Sequence, residues 1–271
     1  MPICGVLGWP VRHSRSPAMH EAGYRALGLD DWRYQLLPVP PELFDETVRA
    51  LPGAGFIGAN VTIPHKEAAL ALADDATDAA RAIGAANTLT FAADGRIHAD
   101  NTDAPGLLDA LPFDPAGART VVLGAGGSAR AVVWALVQAG ADVLVWNRRP
   151  ERAERLCADV GGRATQDPPP AADLLVNTTS VGLHGEDPFK ALPLGVDAMD
   201  GYPCLVDLVY GTGPTALTSA AQAAGATVVD GLEILVRQGA RSFERWTGRP
   251  APLDVLRAAA RGEPAAAEPA A

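Results

Sequence analysis

Cysteine is scarce in this chain of 271 residues: Cys4, Cys157 and Cys204 lie far apart and form no CxxC pair. That spacing argues against a metal centre built on thiolates. An odd count fits a reducing compartment, and the three read best as small buried hydrophobes. The five histidines form neither HxH nor HExxH, so no metal is expected. Basic charge is also short, with 32 acids against 22 Lys and Arg and a net charge of −10. A nucleic-acid binder needs a basic footprint, so none is expected as partner, although a local cluster could still hold a small anion. Long apolar runs are missing too. The start, MPICGVLGWPVRHSRSP, has no basic leader region and is broken by Gly8 and Pro10. The longest uncharged stretch, residues 208–229, is rich in Gly, Thr, Ser, Gln and Pro, a poor membrane span. A cytoplasmic protein with no membrane partner is expected.

What is present is ordinary globular material, 48% apolar and 20% charged, enough for one large domain or two modest ones. Short β-like runs alternate with amphipathic helical runs, which predicts an α/β fold. Residues 3–7 read as a strand. Ser16-Pro17 reads as an N-cap followed by a first-position proline, opening a helix that Gly28 stops. Helices are expected from Pro41 to about residue 51, from Pro64, and over 77–83, with a strand at 56–62. Residues 86–91 and 96–99 read as a strand pair turned through Asp94-Gly95. After a helix from Asp103 to about residue 111, a tighter βαβ rhythm begins. Strands are predicted at 120–123, 142–146, 173–177, 204–208 and 227–229. Helices are predicted at 128–139, 150–160, 214–224, 232–246 and 252–261. The tail after residue 262 is low-complexity.

Gly124-Ala125-Gly126-Gly127-Ser128-Ala129 follows a buried-type strand and opens a helix, fitting GxGxxA. Gly124 permits the tight turn, Gly126 lets backbone approach a pyrophosphate, and Ala129 allows close helix–strand packing. Free N–H groups at the helix start then face the phosphates. An NAD site usually carries an acid about 20 residues after the glycines. Here stand Asn147-Arg148-Arg149, with Arg152 one turn on. Guanidinium groups bind a 2′-phosphate that a carboxylate would repel, so NADP is the expected cofactor.

Three polar clusters lie outside that unit. Ser14-Arg15-Ser16-Pro17 alternates two hydroxyls before a helix, suited to a carboxylate. Asn60-Val61-Thr62-Ile63-Pro64-His65-Lys66 ends a strand and puts a lysine on a first helical turn, where acids are commoner. Asn101-Thr102-Asp103 leads into a helix that Asp103 could cap, or whose carboxylate could pair with Lys66. The residue pattern leaves these alternatives open.

With Gly84-Ala85-Ala86-Asn87-Thr88, Asp207-Leu208-Val209-Tyr210 and the run from Gly231 to Gln238, these motifs resemble shikimate dehydrogenase over nearly the full length. The resemblance implies two α/β domains facing a cleft. Residues 1–102 would form the substrate domain and 103–230 the Rossmann-like dinucleotide-binding domain. Residues 231–262 would be C-terminal helices returning to the first domain, and 263–271 a flexible tail. It implies NADPH-dependent reduction of 3-dehydroshikimate to shikimate, on the route to aromatic amino acids, by a monomer or homodimer. Ser14 and Ser16 would bind the substrate carboxylate. Thr62, Lys66, Asn87, Asp103, Tyr210 and Gln238 would line the ring pocket, with Lys66 and Asp103 as catalytic pair. Leu208 and Gly231 would approach the nicotinamide, and Asp78 would make a weaker cofactor contact. Arg149 departs from the family's usual Thr, Leu183 and Ile234 from frequent Met, and Thr212 from a frequent Pro. A quinate/shikimate dehydrogenase of broader specificity and a non-enzymatic dinucleotide sensor are the competing readings.

Overall fold

The structure is a computed structural model that describes residues 1–168, 171–211 and 213–263. Thr212 and the tail from residue 264 therefore lie outside the described residues. The chain divides into two units, one of Met1–Thr102 with the chain from Leu235 onward, the other Asp103–Ile234. The architecture is α/β throughout.

In the first unit six strands form one mixed sheet: β1 (Ile3–Gly8), β2 (Arg33–Pro38), β3 (Phe56–Val61), β4 (Asp75–Ala76), β5 (Thr88–Phe91) and β6 (Ile97–Asp100). Their order is β2-β1-β3-β5-β6-β4. The β2, β1 and β3 strands run parallel, and β5 pairs antiparallel with β3 and β6. Helices cover both faces: α1 (Ser16–Ala26), α2 (Phe44–Ala50), α3 (Lys66–Leu72) and α4 (Asp78–Ile83). Alternation along β1 explains the two cores. Cys4 and Val6 pack with Tyr24, Tyr34, Phe243 and Trp246, whereas Leu7 joins Phe44, Val48 and Val61 on the other side.

Several expectations shift. The pattern reading leaves β2 out, because an edge strand buries only Tyr34 fully and mixes Arg33 and Gln35 among its apolar residues. Two-residue β4 is too short to show any period. Helix α1 is capped by Arg15 rather than Ser16, which is its first residue. Helix α3 starts at Lys66, two residues after Pro64, with His65 at its cap.

The second unit holds β7 (Arg119–Leu123), β8 (Asp142–Trp146), β9 (Arg163–Thr165), β10 (Leu174–Asn177), β11 (Cys204–Asp207) and β12 (Thr227–Val229). Its helices are α5 (Asp103–Ala110), α6 (Gly127–Gln138), α7 (Pro150–Val160), the short α8 (Pro188–Ala191) and α9 (Ala216–Ala223). All strand pairs are parallel, in the order β9-β8-β7-β10-β11-β12. That is the doubly wound dinucleotide-binding order, with its switch point between β7 and β10. Val121, Leu123, Leu175 and Leu205 are fully buried on these central strands, as near-continuous apolar runs in parallel sheets require. The unit boundary falls inside α10 (Gly231–Thr247), which is followed by α11 (Leu253–Arg261). In the first unit, α11 packs on α1, and Trp246 of α10 lies over Gly58 of β3 while its Nε1 donates to Leu89 O at 3.1 Å. Any side chain at 58 would occupy the indole's place.

All three thiols are raised above their ordinary pKa by burial, Cys4 to about 12 and Cys204 to about 11, which suits packing rather than reactivity. His20 is 0% exposed, stacks on Tyr34 with centroids 4.2 Å apart, and finds no hydrogen-bond partner among the described residues. Burial pushes its pKa down to about 3. The unfolded chain takes up a proton there near pH 6.5 and the folded one does not, so stability falls as pH drops from about 6.5 toward 3. At pH 5 this amounts to roughly 2 kcal/mol. Urea unfolding at pH 7 and pH 5 should show that loss in the wild type and a flatter dependence in His20→Phe; equal slopes would exclude His20 as the source.

Candidate active site

At one edge of the first sheet the ends of β1 and β3 and the start of β5 come together. Thr62 N donates to Leu7 O (2.8 Å), Trp9 N to Ile63 O (2.9 Å) and Val61 N to Asn87 O (2.8 Å). The half-buried Thr62 side chain packs directly on Gly8, where a Cβ would lie 2.4 Å from its Cγ2. Lys66 is the first residue of α3 and only 8% exposed, and its carbonyl accepts from Ala86 N at 2.8 Å. Lysine is seldom so buried. The preceding His65 anchors this turn: its ring stacks on Phe44, and Nε2 bonds Val39 O at 2.7 Å. Burial lowers the His65 pKa, against the opposing pull of that carbonyl, and a carbonyl partner requires Nε2 to be the donor.

Asn87 is buried beside Lys66's neighbour Ala86 and its amide is held at both ends. Oδ1 accepts from Thr102 N (2.7 Å), and Nδ2 donates to Gln238 Oε1 (3.1 Å). Gln238 in turn donates to Leu235 O at 2.8 Å. Below them Asn60 accepts from Tyr34 Oη at 2.7 Å and donates to Asn87 O. Thr62, Lys66, Asn87 and Gln238 are thus gathered in one unit by hydrogen bonds that link β3, β5 and α10. Ser14 donates to Ser16 Oγ at 3.1 Å and accepts from Ser16 N at 3.3 Å, so the two hydroxyls sit side by side at the start of α1. Asp78 stands apart, exposed on the first turn of α4, where Thr77 caps the helix and an acid suits the dipole.

The second unit carries the remaining candidates. Gly124 has φ +112°, and a Cβ there would meet Thr178 Oγ1 at 2.5 Å. Gly126 caps α6 without a side-chain bond, is exposed, and has nothing within 4 Å of where a Cβ would be. Open space beside bare helix N–H groups fits a pyrophosphate. Gly127 and Ser128 begin α6, and buried Ala129 packs beneath it. Arg148, Arg149 and Arg152 are all exposed at the start of α7, and no carboxylate pairs with them among the described residues. Asn147 Nδ2 donates to Arg149 O at 2.9 Å and fixes that turn. The residues present therefore fit a phosphorylated dinucleotide.

Asp103 is half-buried at the first position of α5, and Tyr210 half-buried beyond the end of β11. Leu208 and Gly231 are brought together: a Cβ at 231 would lie 2.6 Å from Leu208 O and 2.9 Å from Val209 O.

Family models for the shikimate dehydrogenase substrate-binding domain, shikimate/quinate 5-dehydrogenase and the shikimate 5′-dehydrogenase C-terminal domain match residues 6–89, 110–174 and 231–261. The NADP⁺-dependent shikimate dehydrogenase of Roseobacter denitrificans is 44% identical, covering 97% of this chain and 98% of that one. The chain belongs to the shikimate dehydrogenase family. Its relative in Methylobacterium radiotolerans is 47% identical over 91% of this chain and 92% of its own. Among solved family structures, the Thermus thermophilus enzyme in complex with NADP(H) and shikimate has 42% identity and a TM-score of 0.85, covering 97% of this chain and 99% of that one. A 5-ketofructose reductase of Gluconobacter shares the fold at 32% identity and TM-score 0.82, covering 96% and 98%.

Motif reading passed over Asn60, Asn177 and Asp207 as side chains with work to do, since buried polar residues at strand ends follow no local period. It also passed over a simpler signal for Lys66. Of the 22 Lys and Arg only Lys66 and Lys190 are lysine, and Lys190 is exposed on α8. The contact at Gly231 is testable: Gly231→Ala must displace the Leu208–Val209 backbone and should destabilise the chain by about 1–3 kcal/mol, the usual range for overpacking. Chemical denaturation measures it, and wild-type stability would mean that the close approach is not tight.

Proposed function

We infer that this chain is an NADP-dependent shikimate dehydrogenase that reversibly reduces 3-dehydroshikimate to shikimate. The observation that carries the mechanism is Lys66 itself, a lysine only 8% exposed on the first turn of α3, where the ends of β1 and β3 meet the start of β5. In a chain that otherwise uses arginine almost throughout, a lysine stands where a proton must move. Arginine could not release one.

NADPH would be held by the Gly124–Ala129 turn, by Asn147 and by Arg148, Arg149 and Arg152, and it supplies the hydride. Lys66 gives its Nζ proton to the developing alkoxide in reduction and takes it back in oxidation. Asp103, the second member of the proposed catalytic pair, would hold a substrate hydroxyl. Asn87 and Gln238, pre-set by their mutual bond, present fixed dipoles to the ring hydroxyls, with Thr62 and Tyr210 completing the ring contacts. Ser14 and Ser16 take the substrate carboxylate, and Asp78 makes a peripheral cofactor contact. Leu208 and the side-chain-free surface of Gly231 approach the nicotinamide. Intact candidate proton-transfer groups favour an enzyme over a dinucleotide sensor. The arginines in place of an acid favour NADP over the NAD use expected of a broad quinate/shikimate enzyme.

The test is spectrophotometric oxidation of shikimate, quinate and the reduced product of 5-ketofructose with NADP and with NAD. Turnover on shikimate with NADP should exceed all other pairings; a preference for another pairing overturns the reading. Lys66→Ala should lower kcat by about 10²–10⁴-fold, the worth of a positioned proton transfer, with NADP affinity little changed. Replacing Arg148 and Arg149 together by Ala should weaken NADP at least about tenfold and leave NAD nearly unaffected, since each lost charge-assisted bond contributes over 1 kcal/mol. Parallel losses for both cofactors would remove the 2′-phosphate from the account.

A further inference from the structure

We propose that Asp207, with Asn177 as its partner, is a positioning residue that sets the Leu208–Tyr210 segment against the reacting end of the cofactor. The two residues are register partners at the C-terminal ends of β11 and β10, next to β7 and its glycine turn. They are 1% and 0% exposed. Asp207 Oδ1 accepts from Asn177 Nδ2 (2.9 Å) and from Val209 N (3.1 Å), and Oδ2 accepts from Thr215 Oγ1 (2.7 Å). Asn177 Oδ1 accepts from Thr179 Oγ1 (2.7 Å) and Thr179 N (3.1 Å). Thr178 Oγ1 donates to Leu123 O at 2.7 Å. One network therefore ties together the segments leaving β7, β10 and β11, the crevice side of a doubly wound sheet.

A buried carboxylate is expensive, and an apolar residue would pack this strand end with less penalty. Burial raises the Asp207 pKa while its three donors oppose the rise, and all three donors are uncharged. What an acceptor-only side chain adds is direction. It fixes the Val209 N–H, and with it the Leu208–Val209 peptide, whose Leu208 carbonyl Gly231 also approaches closely. Asp207 touches neither substrate nor cofactor in this account.

The proposal rests on the dehydrogenase reading, so the test carries a readout independent of turnover. A misplacement of about 1 Å can lose on the order of 10²-fold in rate, and Asp207→Ala should lower kcat by about that factor. Its affinity for 2′,5′-ADP, which would engage the glycine turn and the arginines, should stay within about twofold, since none of Asp207's own partners, Asn177, Val209 and Thr215, lies in either. The change in nicotinamide fluorescence when NADPH binds wild type should be diminished in Asp207→Ala. Asp207→Asn, which keeps an acceptor for Asn177 and Val209 while the Thr215 hydroxyl can turn to accept, should recover most of the loss. Near-wild-type kcat in Asp207→Ala, a matching loss of 2′,5′-ADP affinity, or no recovery in Asp207→Asn overturns the assignment. Should Asp207→Ala not fold, Asp207→Asn decides: kcat about three- to tenfold down at unchanged 2′,5′-ADP affinity supports it, and wild-type kcat overturns it. If wild type fails to oxidise shikimate, the reaction is misread, and the fluorescence and 2′,5′-ADP arms still decide the positioning role.

Discussion

A lysine only 8% exposed needs a surrounding that is polar and rigid at once, and Lys66 imposes that demand on the first unit. The rigidity begins one residue earlier. His65, stacked on Phe44 and bonded to Val39 O, holds the start of α3 against the sheet edge. The backbone of Lys66 then bonds Ala86, and Asn87 follows with its amide locked between Thr102 and Gln238. Each group is oriented by another before any substrate arrives, which is how a site avoids reorganising during the reaction.

The second unit meets a different constraint. The ligand proposed for it is anionic and would approach backbone, so the useful features are absences of side chain: a positive φ at Gly124 and a helix start at Gly126 with no side-chain cap. Positive charge is concentrated at Arg148, Arg149 and Arg152, in a chain whose net charge is −10. The same economy recurs at Gly231, where missing atoms let backbone meet backbone. Polar side chains do the opposite work at Asn177 and Asp207, turning strand ends into a defined rim.

Much of this was legible locally. The α/β alternation, the parallel βαβ run and the GxGxxA turn are written in short-range spacing, because strand, tight turn and helix start each need particular residues within a few positions. The β2 strand was not, because an edge strand with one fully buried residue carries no clear period. Nor was the cap of α1, where two serines compete for similar positions and the backbone assigns the cap to Arg15 between them. Gln238 entered only through family resemblance. Its bond to Asn87 spans 151 positions, beyond the reach of any local pattern.

By itself, then, the amino-acid order determined the element alphabet, the glycine-rich turn, the arginines that follow β8 and the scarcity of lysine that marks position 66. Tertiary structure alone decided that Lys66 is buried, that His20 is sealed without a partner, and that Asn177 and Asp207 meet across two strands. The division has a physical cause. Backbone conformation answers to neighbours a few residues away, whereas burial and side-chain partnership depend on segments that only folding brings into register.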